Sequence, residues 1–418
     1  MSYKRSSLAG KAYVASLVNY LDRDIDATVS APERPQLSET AIVPDGSVNH
    51  KQYFAYSKGA YRYLGAQSLL LDLDALDDWV ERAQTNSALD FPFHTNMDCA
   101  VISPDLHRYL SRHFTDSVQK MYPILNPSYR WLTSDDVVDL HSAPNEAFLQ
   151  QMVYAISCRS NQNDTLFFHP LATVAHSKAL QYFEKATADS SISTLQVAVL
   201  LVLYSLFDPL SGNLSQQVGF AARLAIELTG SEPDESSPML STLIKVTYCL
   251  ENQACGFLDR PASMQEPGTP LTLSVTDPLD FLCTLYRIQA RTRAGLLDDN
   301  LRNTLLLLDD DALERLHPNL LSTLRETQFM LHPTALAATE LTTVYLNDRY
   351  IPTVLTPHWV FKAASVIVEA VPATQDASQS RLLQNYGHAT ALLGKWSARW
   401  DAARVLLQCL QLKVKGGM

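Results

Sequence analysis

The sequence predicts an all-α protein, a single large multi-helix body preceded by a short N-terminal helix. Three observations carry that prediction. Glycine is scarce, 14 of 418 residues, while leucine and alanine recur throughout, a balance that favours helices over a turn-dense β fold. Apolar residues repeat with the 3.6-residue period over most of the chain. The breaks between these runs are clusters of Pro, Gly, Asn and Ser, the residues that stop helices.

Taken in order, residues 11–26, "KAYVASLVNYLDRDID", put Val14, Leu17, Leu21 and Ile25 on one helical stripe, suited to a coiled-coil seam or a groove. Residues 27–50 carry Pro32, Pro35, Pro44 and Gly46 among Ser, Thr and acidic residues and read as a linker. Residues 51–418 form the helical body. Its opening crowds Tyr53, Tyr56, Tyr61 and Tyr63 together, which predicts a leading helix packing aromatics onto the body. Helical patterning follows at 67–84, 104–122, 146–158, 170–187, 193–207 and 214–229, and again within 281–345 and 358–412. The stops are "NPS" at 126–128, "DPLSGN" at 208–213 and "GSEPDESSP" at 230–238, then Pro318, Pro333, Pro352, Pro357 and Pro372. Ser191, Ser193 and Thr194 are good N-cap types ahead of the 193–207 helix. In the next helix Val218, Ala221, Ala222, Ala225 and Leu228 share one face, small enough for close helix packing. Trp396 and Trp400 are placed on one buried face of the closing helix.

A net charge of −11 argues against a nucleic-acid-gripping surface, since Lys4, Arg5 and Lys11 are the nearest approach to a basic cluster. The six cysteines form no C-x-x-C pair and no cluster with His, so they read as buried thiols in a reducing compartment rather than zinc ligands. The run "VAVLLVLYSLF" at 197–207 is shorter than the roughly 20 residues of a membrane span, and so reads as a buried helix. The polar start "MSYKRSSLAGK" lacks a secretory h-region. An intracellular chain is expected, with no membrane, no metal and no cofactor.

Several segments together resemble the regulatory, middle homology domain of fungal zinc-cluster transcription factors. "AYVASLVNYLDRDID" looks like that family's linker and dimerisation helix, and "AYRYLGAQSLLLDL" (60–73) like the opening of its helical body. "YPILNPS" (122–128) resembles its Pro-broken motif, and "LQVAVLLVLYSLFDPLSGNLSQQVGFAARLAIELTG" (195–230) its paired helices. "ALLGKWSARWDAARVLLQCLQ" (391–411) resembles its closing helices. "GFLDRPASM" (256–264) is similar to a Gly-Arg-Pro stretch that follows the paired helices, with Asp259 where the family's glycine is usual. As local chemistry, that stretch predicts a helix exit: Gly256 taking a positive φ, Pro261 ending the helix, and Arg260 meeting the last carbonyls. The family's six-cysteine zinc cluster is missing ahead of the linker helix. The resemblance therefore implies a regulatory body without its own DNA-reading motif, or a helical body turned to catalysis; a lost first exon gives the same pattern.

Catalytic motifs are sparse. Asp77-Asp78-x-x-Glu81, and the similar Asp310-Asp311-x-x-Glu314, match one Mg²⁺ motif of helical terpene cyclases. They lack the second motif and the basic cluster that hold a diphosphate, and acidic residues near helix starts are common anyway. His169 and His176 lie two helical turns apart, poor spacing for zinc, with Pro170 expected at the first helical position and His169 near the cap. His107 and His113 fall on different faces, and satisfied structural histidines are the default. There is no G-x-S-x-G, Walker A or G-x-G-x-x-G.

The leading expectation is a transcription co-regulator for a secondary-metabolism gene set, nuclear, acting through a small apolar ligand or a partner. That partner is a zinc-cluster factor or a second copy, engaged through Val14, Leu17, Leu21 and Ile25. The alternative is a cytoplasmic, cofactor-independent cyclase that folds a polyene or terpenoid for intramolecular cycloaddition, with His169, His176, His358 or Arg260 as catalytic candidates. Tyr204, Phe220, Phe257, Arg260, Met264, His358 and Trp359 are the candidate ligand-binding residues, in a dry cavity of several hundred cubic ångströms.

Overall fold

The computed structural model describes two strands within 53–64 and, from 102 to 417, all residues except 135–142, 163–164, 232–236, 259, 269–270, 272, 274, 307, 309–312, 314–315 and 372–376. The chain divides into two units, 1–66 and 67–418. In the first, Tyr53–Ser57 (β1) and Ala60–Leu64 (β2) pair antiparallel, with Tyr53 opposite Leu64 and Tyr56 opposite Tyr61. The leading helix expected there is a hairpin instead. Its dense aromatic residues favour extended backbone, and that preference outweighs the helical reading. The stripe of Val14, Leu17, Leu21 and Ile25, the linker, the 67–84 segment and both acidic motifs lie outside the described residues, apart from Leu313 and the 60–64 strand.

The second unit is all-α. Among the described residues its helices are α1 (Pro104–His113), α2 (Pro144–Ser160), α3 (Thr165–Leu180), α4 (Phe183–Ala186), α5 (Ile192–Phe207), α6 (Leu214–Ser231) and α7 (Pro238–Leu258). There follow α8 (Pro278–Arg293), α9 (Asp299–Leu306), α10 (Pro318–Leu331), α11 (Ala335–Tyr345), α12 (Thr356–Ala370), α13 (Ala377–Ser397) and α14 (Asp401–Gly417). The starts are chemically marked. Proline occupies the first turn of α1, α2, α8 and α10, where its missing N–H costs nothing. Ser191 Oγ accepts the Thr194 N–H at 3.2 Å, and Asp277 accepts those of Leu279 and Asp280 at 2.9 and 3.0 Å. A five-residue π-helical segment, Phe114–Val118, continues α1.

Two cores meet along a seam. In the first, α5 is the axis: every residue from Thr194 to Phe207 is buried, and α2, α6 and α7 pack around it. Val218, Ala221, Ala222, Ala225 and Leu228 of α6 are all buried, as their spacing predicts. The second core gathers residues of α10 to α14, among them Phe329, Leu341, Val360, Ile367, Leu393, Trp396 and Leu406. The last carbonyls of α5 join the two. Leu206 O accepts the Val354 N–H at 2.8 Å and Phe207 O accepts the Trp400 indole N–H at 3.2 Å. These are carbonyls with no partner inside their own helix, so the junction satisfies groups that burial would otherwise leave orphaned.

Three local expectations need correction. Helix α3 starts at Thr165, so Pro170 lies inside it rather than at its first position. Burial of the apolar face of Phe168, Leu171, Ala172 and Ala175 extends the helix N-terminally and offsets the one ladder hydrogen bond that Pro170 removes. Trp396 and Trp400 are both buried, yet the chain turns between them, so they bracket the α13–α14 break with ring centroids 6.5 Å apart. Gly256 is inside α7, not at a positive-φ exit. A Cβ there would come 2.6 Å from Arg293 Nη1, so the glycine makes room for a guanidinium from α8. The positive φ belongs to Gly295, at 69°, where Leu296 N–H reaches Arg291 O at 2.8 Å and Gly295 N–H reaches Thr292 O at 3.1 Å. That pair of hydrogen bonds is a Schellman close for α8.

Candidate functional site

The seam between the two cores holds a partly open cavity. Val118, Met121 and Tyr122 come from the segment after α1, and Leu203, Leu206 and Phe207 from the end of α5. Gln253 of α7, the stripe Asn319, Ser322, Thr323 and Glu326 of α10, and residues 350–359 ahead of and within α12 complete it. The stripe exists because those four positions fall at i, i+3, i+4 and i+7, while Leu320, Leu324 and Thr327 face other neighbours. About 50 Å³ is open to the centre of a water-sized sphere, room for roughly three to five waters at 10–15 Å³ each. The cavity is thus smaller and more polar than the expected apolar chamber.

Glu326 is its dominant group. It is buried, and the Tyr345 hydroxyl donates to Oε1 at 2.7 Å. Burial pushes its carboxyl up to about 7, a rise that the Tyr345 hydrogen bond only partly opposes. Around it Tyr122, Tyr286, Tyr345 and Tyr350 are all pushed above the ordinary phenol range, burial being the main cause for each, so they remain neutral hydrogen-bond donors. The Tyr350 hydroxyl pairs with Thr356 Oγ1 at 2.9 Å, and Thr356 Oγ1 also accepts the Thr353 N–H at 2.9 Å. Asn319 holds the same loop, donating to Ile351 O at 2.8 Å and accepting Ile351 N–H at 3.0 Å. Gln253 Oε1 is buried and has no hydrogen-bond partner. The arrangement can therefore hold a small ligand and move one proton at Glu326.

The residues picked from sequence scatter. Trp359 lines the cavity. His358 and Phe257 lie beside that wall, edge to face at 4.8 Å, and burial lowers His358 to about 4. Met264 and Arg260 belong to the loop after α7. The Ser263 and Met264 N–H groups reach the buried Glu251 carboxylate at 2.8 and 2.9 Å, and the Ser263 hydroxyl donates to it as well. Arg260 donates to Ser215 Oγ at 3.3 Å, and its own N–H reaches Cys255 O at 2.8 Å. "GFLDRPASM" is accordingly a clamped helix exit. Phe220 sits half-buried on α6, away from the cavity lining.

Tyr204, His169 and His176 join a second cluster. Arg159 pairs with Asp208 at 2.5 Å, Arg399 donates to Arg159 O at 2.6 Å, and Arg399 lies 4.4 Å over the Trp400 ring. His176 stacks on Tyr204 with centroids 4.2 Å apart. Burial first, and the arginines after it, lower His169 to about 4, and burial lowers His176 to about 4. Burial and the neighbouring Arg159 lower Arg399 to about 9. These histidines are held neutral and away from the cavity. His107, between the Tyr154 hydroxyl at 2.6 Å and Ser134 O at 2.9 Å, is a satisfied core residue, and His113 meets Ser160 Oγ at 3.0 Å.

Sequence reasoning missed Glu326, Gln253 and the tyrosines around them. The available signal was a polar stripe at helical spacing beside an apolar one on α10, which marks a helix buried on more than one side. Among the described residues no group of three His, Cys, Asp or Glu is placed to hold a metal ion, and no helix is long and apolar enough to cross a membrane. Comparison with protein families, with curated proteins and with solved structures finds no match.

Proposed function

We propose that the helical body is a regulatory module of the kind found in fungal zinc-cluster transcription factors, acting as a co-regulator whose packing is set by a small ligand. The observation that carries this reading is the position of the cavity. Its walls come from both cores, and it adjoins the two hydrogen bonds by which α5 holds the second core. A ligand seated there contacts both halves at once, so it can favour one relative packing over another by its differential affinity. The ordered set of family-like segments supports the same reading. The occupant is small, and a partner factor supplies the DNA-reading residues. Chromatin occupancy and transcript profiling test it: deleting the gene lowers the transcripts of one gene set, and complete exclusion of the protein from the nucleus sinks the idea.

One observation favours a second reading. A carboxyl that keeps its proton near neutrality, in the wall of a cavity lined by Met121, Phe207 and Trp359, is what a general acid in a cyclase requires. On that reading Glu326, rather than any of the histidines, donates the proton, and the substrate is a few heavy atoms in size rather than a polyene or terpenoid. Gene deletion then leaves transcripts unchanged and one uncyclised precursor accumulates.

A further inference from the structure

We infer that the seam cavity receives a small primary ammonium, with Glu326 as its counter-ion and Gln253 as its second acceptor. This rests on the reading of the cavity as the ligand site and adds the chemical class of its occupant.

The hydrogen-bond inventory of the walls selects that class. The donors are largely committed: the Tyr345 hydroxyl to Glu326, one hydroxyl of the Tyr350–Thr356 pair to the other, and the Asn319 amide to Ile351 O. The acceptors are not. Glu326 has Tyr345 as its one hydrogen-bond partner among the described residues, and Gln253 Oε1 is buried with none. A buried acceptor without a donor is costly, whereas a ligand bringing three N–H donors meets both groups. An anion finds the reverse: a carboxyl to repel it and no free cation, because no lysine or arginine pairs with Glu326 among the described residues. Beyond the polar end, Val118, Met121, Phe207 and Trp359 offer apolar contact for a short alkyl chain. Space for roughly three to five heavy atoms admits n-butylammonium, which has five, as the upper size.

The charge balance agrees. The groups facing Glu326 are Tyr345 from α11, Tyr350 from the following loop, Tyr122 from the segment after α1 and Tyr286 from α8, all phenols that stay neutral. Glu326 is thus the one group there that ionises near neutrality, and an alkylammonium remains charged up to about pH 10. Binding the cation stabilises the carboxylate, so it draws the Glu326 proton into solvent.

A ligand-observed NMR titration of the purified full chain with n-butylammonium chloride, at constant ionic strength, tests this. The expected result is one saturable site whose affinity rises about tenfold from pH 6 to pH 8, following ionisation of Glu326. Glu326→Gln weakens binding at least tenfold and flattens the pH profile, and Gln253→Leu weakens it severalfold. Neutral butyramide binds more weakly and without pH dependence. Unchanged affinity in Glu326→Gln, tighter binding at pH 6 than at pH 8, butyramide matching the ammonium, or no saturable binding overturns the inference. Should Glu326→Gln fail to fold, the wild-type pH series and Gln253→Leu decide. The assay is independent of transcription. Binding without any transcript response refutes the regulatory reading alone, and a transcript response without binding refutes the ammonium alone.

Discussion

Tyr345 donates its hydroxyl proton to Glu326 across 2.7 Å, and both side chains are buried in the seam between the two cores. The pair joins α10 to the end of α11, and its carboxyl makes stability fall as pH rises from 4.5 toward neutrality. Burial raises the Glu326 carboxyl from the ordinary 4.5 to about 7. As pH rises, the unfolded chain releases that proton first, so stability contributed below pH 4.5 is lost as pH passes through about 7. A shift of that size corresponds to roughly 3 kcal/mol. Glu326→Gln keeps an acceptor for Tyr345 and removes the charge. Urea denaturation is expected to show the variant gaining on wild type from pH 5 to pH 8 by on the order of 3 kcal/mol. Parallel stability curves for the two proteins disprove the assignment.

The opposite sign applies to His358. It is buried against Phe257, its Nδ1 has no hydrogen-bond partner, and burial lowers it from 6.5 to about 4. Here the unfolded chain takes up the proton first as pH falls, so stability present above 6.5 is lost on the way down to about 4. His358→Leu fills similar space without titrating. Its denaturation midpoint is expected to fall less than that of wild type between pH 7 and pH 4.5. An identical acid response in both proteins rules the histidine out as a contributor.

The positive-φ part that the sequence suggests for Gly256 belongs to Gly295. Read along the chain, Gly256 stands before Arg260-Pro261 and looks like the helix stop, yet a partner invisible to local patterning, Arg293 of the next helix, occupies the space beside it. Gly295 takes the left-handed conformation instead. Gly295→Ala is expected to cost about 1 kcal/mol, the strain of a Cβ at positive φ. Gly256→Ala displaces only the end of a flexible side chain and gains helix propensity, so it is expected within about 1 kcal/mol of wild type. In an Arg293→Ala background the same change becomes stabilising. A double-mutant cycle by thermal denaturation measures this, and no coupling between the two positions contradicts the packing.

One buried carboxylate ties down the start of the loop that follows, while Glu266 pairs with Arg287 and Arg291 further along. Glu251 accepts the backbone N–H groups of Ser263 and Met264 together with the Ser263 hydroxyl, and it is buried within α7. Hydrogen bonds to a charged group are worth about 1.5–3 kcal/mol each, and losing the acceptor leaves three donors to find water. Glu251→Ala is expected to destabilise the protein by about 3 kcal/mol and to speed amide exchange at Ser263 and Met264 selectively. Exchange that rises evenly over α7 and α8 instead places the effect elsewhere. The loop shows why the fold was more legible than the site. Helix starts, stops and the small-residue face of α6 are local patterns, readable from Ser191 or Ala221 alone. Glu251 with Ser263, Glu326 with Tyr345 and Gly256 with Arg293 are pairings across helices, set by packing that no spacing rule reaches.

Asp208 carries the same lesson to the second cluster. Its carboxylate faces Arg159 at 2.5 Å, while Arg399 stacks on Trp400 and binds the Arg159 carbonyl, so one anion serves a site with two guanidiniums. The side chains of Arg159 and Asp208 are both about one-sixth exposed, at 16%, enough to favour pairing over screening. Asp208→Asn leaves both cations without a counter-charge, and a cost of about 3 kcal/mol is expected, more than an exposed ion pair would give. Arg399 is already lowered to about 9 by burial and Arg159, so it is the cation least able to bear the loss. Arg399→Met in the Asp208→Asn background is therefore expected to recover part of that stability, with the aliphatic chain still against Trp400. Urea denaturation of the four proteins reads the coupling directly, and a strictly additive loss shows that Arg399 draws nothing from Asp208.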